Sequence, residues 1–108
     1  VEDLFLGVEA GVDLFDCVAP TRLGRTGGLY TKDGNINISN SQFREDWQPI
    51  EKNCLCNTCQ NFSRAYLAHL FRAGEMLGPR LASIHNLRFT IGLVENIRQS
   101  ILSDSFFA

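Results

Sequence analysis

Apolar positions change their period several times along the chain. Residues 2 to 11 carry Leu4, Phe5 and Val8 at helical spacing, with Gly11 placed as a stop. Val12 to Val18 (VDLFDCV) is short, apolar and strand-like. Pro20 to Gly28 reads as a glycine-rich loop with Arg22 and Arg25 three apart. Gly28 to Thr31 and Asn35 to Ile38 predict two short strands. Lys32-Asp33-Gly34 between them contains the Asp-Gly signal of a hairpin. Residues 39 to 53 are polar and irregular, with Trp47 and Ile50 as packing anchors. Residues 61 to 73 predict a helix ending near Gly74. From Leu77 to about Leu102, the positions Leu77, Leu81, Ile84, Leu87, Ile91, Val94, Ile97 and Ile101 recur in steps of three and four. Those steps predict one long amphipathic helix. The order is helix, strand, long β-rich insertion, then two helices, without internal repeats.

Composition narrows the class. The chain has 108 residues, 44% hydrophobic and 20% charged, which suits one globular domain with a modest core. A formal net charge of -2 excludes a global basic field, so any nucleic-acid contact must be local. No apolar run reaches the roughly 18 residues that span a bilayer, and no membrane is expected as a partner. The sequence opens at Val1, without Met, inside a predicted helix, which suggests a piece of a longer chain, with simple processing or Met removal as the plainer alternative. Three of the four cysteines, Cys54, Cys56 and Cys59, crowd into six positions, with Cys17 far away. Such crowding makes a poor disulfide framework and points to a reducing, cytoplasmic compartment.

The same crowding suits a metal. Zinc takes borderline-soft ligands in a tetrahedron, and Cys-x-Cys-x2-Cys can converge three thiolates from one turn. A fourth ligand must come from elsewhere, and the chain has two histidines. His69 lies in the first of the two C-terminal helices and His85 in the second. An antiparallel helix pair returns His85 toward the cysteines and favours it. A filled Cys3His set leaves no open position, so the predicted role is structural, with one zinc per chain. An iron–sulfur cluster would ordinarily want four thiolates.

Asp16 falls near the end of the predicted strand, before the arginine segment. A carboxylate there could be base, nucleophile or ligand, or more simply cap the following loop. Arg22 and Arg25 could grip phosphate or base edges, or stand as solvated charges.

Taken together, Phe15-Asp16-Cys17-Val18-Ala19-Pro20-Thr21-Arg22, Gly24-Arg25-Thr26-Gly27, Ile36-Asn37-Ile38, Glu45-Asp46, the cysteine run, Ser63-Arg64-Ala65-Tyr66-Leu67 and His85-Asn86-Leu87 resemble the bacterial queuine tRNA-ribosyltransferases (tRNA-guanine transglycosylases) over nearly the whole chain. The resemblance implies an α/β fold, α+β for this stretch alone: the C-terminal part of a TIM (β/α)8 barrel with a zinc-binding hairpin and helix insertion. The expected division is 1–27 for the last barrel helix, strand and catalytic RNA loop, 28–75 for the insertion, and 76–108 for the closing helix. It also implies exchange of the wobble guanine of GUN-anticodon tRNAs for a 7-deazaguanine, pre-queuosine-1 in bacteria. Asp16 would be the nucleophile, Thr21, Arg22 and Arg25 would contact RNA, and Cys54, Cys56, Cys59 and His85 would hold zinc. Tyr66 and His69 would lie at a homodimer interface. The family's general acid/base carboxylate and its base pocket lie upstream of this stretch. A stand-alone zinc module that binds RNA or a protein without chemistry is the alternative.

Overall fold

A computed structural model describes residues 2–11, 19–52 and 54–103. The expected strand 12–18, with Asp16 and Cys17, lies outside the described residues. The order is α1 (Glu2–Glu9), α2 (Ala19–Arg25), β1 (Gly28–Thr31), β2 (Gly34–Asn37), a short 3-10 turn (Ser41–Phe43), α3 (Asn57–Asn61), α4 (Arg64–Arg72) and α5 (Leu77–Leu102). The described fold is α+β, built along one helix. At about 1.5 Å per residue, the 26 residues of α5 span roughly 39 Å and set the longest dimension of 45 Å.

Helix α5 forms as its period predicted. Pro79 sits in the first turn, where no intrahelical donor is needed. The stripe is used unevenly. Leu81 and Ile97 are buried, whereas Leu87, Ile91 and Ile101 remain exposed. Helices α2, α3, α4 and strand β1 all pack on α5. The core collects Leu29, Ile38, Phe43, Ile50, Leu67 and Leu81 around the cysteines. Each such side chain contributes about 1.5–3 kcal/mol of hydrophobic burial.

The hairpin pairs antiparallel, with Leu29 opposite Ile36 and Tyr30 opposite Asn35. Three local expectations are corrected. The arginine segment is not a loop: it folds as α2, with Arg22 and Arg25 in its last turn. The predicted helix 61–73 is broken. Phe62 is extended and ends α3, and the Ser63 hydroxyl then caps α4 by accepting the Tyr66 amide at 3.1 Å. Of the two packing anchors, Ile50 is buried at 1% exposure, but Trp47 is 74% exposed. Phe43 occupies the core position instead.

The stop after α4 has a clear cause. Gly74 adopts φ 71°, so the Glu75 amide reaches the Leu70 carbonyl at 3.0 Å and the Gly74 amide reaches Phe71 at 3.2 Å. That is the Schellman closure, which a left-handed glycine permits. It reverses the chain and allows α5 to return past α4. Irregular residues 46–50 are tied down by Arg64. Its guanidinium reaches Asp46 Oδ2 at 3.1 Å, the Ile50 carbonyl at 2.8 Å and the Phe43 ring face at 5.5 Å.

Candidate metal centre

Cys54 and Cys56 lie on the extended segment before α3, and Cys59 in its first turn. Cys56 is the N-cap. Its sulfur accepts the Cys59 amide at 3.3 Å, so the capping requirement of a short helix itself folds the two sulfurs toward each other. Thr58, between them, is fully buried and donates its hydroxyl to the Leu81 carbonyl at 2.7 Å. That bond fixes α3 against the turn of α5 that precedes His85.

His85 meets the three sulfurs with one ring nitrogen. Nδ1 lies 3.8 Å from Cys54 Sγ, 3.7 Å from Cys56 Sγ and 3.3 Å from Cys59 Sγ. The other nitrogen, Nε2, is 2.7 Å from the Tyr30 carbonyl. A carbonyl only accepts, so Nε2 must carry the proton and Nδ1 presents its lone pair to the sulfurs. This is the outer-sphere arrangement that orients metal-binding imidazoles. The four ligand atoms all lie within 4.8 Å of one another. A tetrahedral ion with metal–sulfur bonds of about 2.3 Å and a metal–nitrogen bond of about 2.0–2.1 Å separates sulfur from nitrogen by about 3.6 Å. The observed 3.3–3.8 Å brackets that spacing, so the donor set fits a metal ion of this type.

The electrostatics of the bare cluster agree with a cation's place. A hydrogen bond from the Cys59 thiol holds the Cys56 thiol far below its ordinary range, against the opposing effect of burial, with His85 and the Cys59 amide helping. The same bond, and then burial, push Cys59 up; burial, foremost, raises Cys54. Cysteine binds a metal as thiolate, so loading such a cluster releases thiol protons. The arrangement closes four positions and is suited to holding structure together.

A family model described as queuine tRNA-ribosyltransferase matches residues 1–108. This chain belongs to the queuine tRNA-ribosyltransferase family. The queuine tRNA-ribosyltransferase of Herpetosiphon aurantiacus is 56% identical over 105 residues, which cover 97% of this chain and 27% of that protein. Those of Symbiobacterium thermophilum and Dictyoglomus turgidum are 51% and 54% identical, over 97% and 93% of this chain. The chain spans about a quarter of the length of these curated relatives (26–27%).

Within this member of the family the other singled-out residues lie apart. Arg22 and Arg25 are exposed on α2, and Thr21 is half-buried. On α4, Tyr66 is 40% exposed and stacks on Phe62, with ring centroids 5.5 Å apart, and His69 is exposed. His69 is not in the cysteine cluster. Asp16 lies outside the described residues. Sequence reasoning missed Tyr30, Thr58 and Asn86. For Asn86 a signal existed: Asn is a poor helix former, yet it sits inside a long helix beside His85.

Proposed function

We propose that this chain is the C-terminal portion of an enzyme that exchanges the wobble guanine of GUN-anticodon tRNAs for a 7-deazaguanine, pre-queuosine-1. The match of the family model over residues 1–108 carries this reading. In this account the Asp16 carboxylate attacks the ribose C1′. A carbon–oxygen bond forms as the bond from C1′ to guanine N9 breaks, and guanine takes its proton from an acid upstream of this stretch. N9 of the incoming base, losing its proton, then displaces Asp16 and restores the carboxylate. Two inversions retain the anomeric configuration, the logic of retaining glycosidases. The target base must leave its stack to be reached, and its neighbours become readable by side chains. Arg22 and Arg25, with Thr21 alongside, are proposed to read them, and the exposure of both arginines on α2 supports that role.

The metal is proposed to be zinc, one per chain, held by Cys54, Cys56, Cys59 and His85. When bound it supplies structural cross-linking and no chemistry. Burial of three of the four donors supports that role. The remaining three quarters of the relatives' length is proposed to complete a (β/α)8 barrel, which takes about 250 residues, with residues 28–75 as its zinc-bearing insertion. Tyr66 and His69, on the exposed face of α4, are proposed to meet a second copy. No described helix is long and apolar enough to cross a membrane, and a tRNA substrate fits work in the cytoplasm.

The test is labelled-guanine incorporation into a GUN-anticodon tRNA by the full-length parent. Asp16→Asn should lower exchange by roughly 10³-fold or more, with tRNA binding preserved. Exchange at a near wild-type rate would remove Asp16 as the nucleophile.

A further inference from the structure

His85 and Asn86 are adjacent on α5 and both fully buried, yet they serve different neighbours. His85 joins the metal cluster to the Tyr30 carbonyl. Asn86 makes three long-range bonds. Its Oδ1 accepts the Tyr30 amide at 3.0 Å, and its Nδ2 donates to the Gly28 carbonyl at 2.9 Å and the Pro20 carbonyl at 3.1 Å. Both donors and the oxygen of the amide are thereby engaged by backbone of β1 and of the first turn of α2. A backbone amide can only donate, so the orientation of the Asn86 side chain is fixed.

Helix α2 is seated a second way. Gly24 lies directly against α5. A Cβ built on it would stand 2.8 Å from Ser83 Oγ, 2.9 Å from the Ser83 amide nitrogen and 3.1 Å from its Cα. Backbone atoms cannot yield as a side chain would, so only glycine allows this approach. Arg22 and Arg25 flank that contact on the same short helix. Seven residues cannot hold a helix on propensity alone, so its position is set by what it docks on.

We propose that Asn86 is a positioning residue: it seats α2, and with it Arg22 and Arg25, on the helix that carries the metal ligand His85. The metal cluster and the arginine helix then share one rigid reference, since Tyr30 is bonded through its carbonyl to His85 and through its amide to Asn86. The consequence for the proposed reaction, on which this inference rests, is that RNA recognition depends on a residue that touches neither RNA nor metal. A small shift of α2 moves both guanidiniums together, and displacements of about 1 Å are costly in such sites.

The experiment uses the full-length, metal-loaded parent with two variants. Asn86→Leu removes the three bonds at similar volume. Gly24→Ala leaves Asn86 and every metal ligand in place and improves helix propensity, but forces α2 off α5. Both should keep the wild-type metal content and raise the KM for tRNA by roughly tenfold or more, with the KM for guanine unchanged. Hydrogen exchange should rise in peptides covering residues 19–31 and stay at wild-type levels elsewhere. A merely structural loss lowers the active fraction, and so apparent kcat, without moving the KM for tRNA. A tRNA KM within about twofold of wild type in a metal-retaining variant overturns the proposal. If Asn86→Leu does not fold, Gly24→Ala decides alone. A wild-type parent without exchange activity sinks the functional reading instead. The seating of α2 then stands or falls on exchange protection of residues 19–31.

Discussion

Replacing each of the two histidines in turn separates the metal centre from everything around it. His85 is fully buried, its Nδ1 is 3.3–3.8 Å from three sulfurs, and its Nε2 bonds the Tyr30 carbonyl. His69 is exposed on α4. Structural zinc in small modules contributes about 10–16 kcal/mol of apparent binding free energy. Divided over four ligands, that is about 2.5–4 kcal/mol for His85, or roughly 10²–10³-fold in Kd. Its outer bond to Tyr30 adds about 1 kcal/mol of stability with or without metal. His85→Ala should therefore bind zinc roughly 10²–10³-fold more weakly in competition with a chromogenic chelator, and be less stable in urea even when stripped of metal. His69→Ala should match the wild-type parent in both, with stability changed by no more than about 0.5 kcal/mol. The reasoning is refuted if His85→Ala keeps affinity within tenfold of wild type, or if His69→Ala is the variant that loses metal.

Other consequences concern the scaffold. Thr58→Val keeps the shape of a fully buried residue and deletes one hydrogen bond to Leu81, so it should cost about 1 kcal/mol in urea unfolding of the loaded protein. No change would mean that α3 is held by its ligands alone. Arg64→Ala loses bonds to Asp46 and the Ile50 carbonyl, in a pair whose side chains are 26% and 23% exposed, and should cost about 2–3 kcal/mol. Arg64→Lys should recover less than half, because an ammonium lacks the planar fork, and full recovery by Lys contradicts that account. Trp47→Ala, at 74% exposure, should leave thermal stability within about 0.5 kcal/mol of wild type, whereas a large loss would restore Trp47 as a packing anchor.

The long helix, the hairpin and the cysteine crowding were legible because each rests on a local signal. Period 3.6 marks α5, Asp33-Gly34 marks the turn, and three cysteines in six positions need little else. Helix α2 was illegible for a physical reason. Pro20 and Gly24 within seven residues argue against a helix, and the glycine is there because α5 lies against it. Trp47 and Phe43 could not be ranked as anchors, since which aromatic faces inward depends on the path of residues 39–50 and on Arg64 from another element. The break at Phe62-Ser63 was visible in principle, because Ser63 is a good N-cap residue. The roles of Thr58 and Asn86 are long-range hydrogen bonds, 23 to 66 residues apart in sequence, which no local pattern encodes.

Helix α5 thus does two jobs. It carries His85 into the cysteine cluster, and one residue later it fixes the hairpin and α2. Leu87, Ile91 and Ile101 of the same helix stay exposed, in a chain that spans about a quarter of the length of its curated relatives.

The central proposal is that these residues belong to a tRNA-guanine exchange enzyme and do not complete one by themselves. Labelled-guanine incorporation into a GUN-anticodon tRNA, run side by side on this chain and on its full-length parent, tests it most directly. The account predicts exchange by the parent and none by the 108-residue chain, even when its metal site is loaded. Inactivity of both would favour a metal-stabilised binding module, and exchange by the short chain would contradict the need for the proposed barrel.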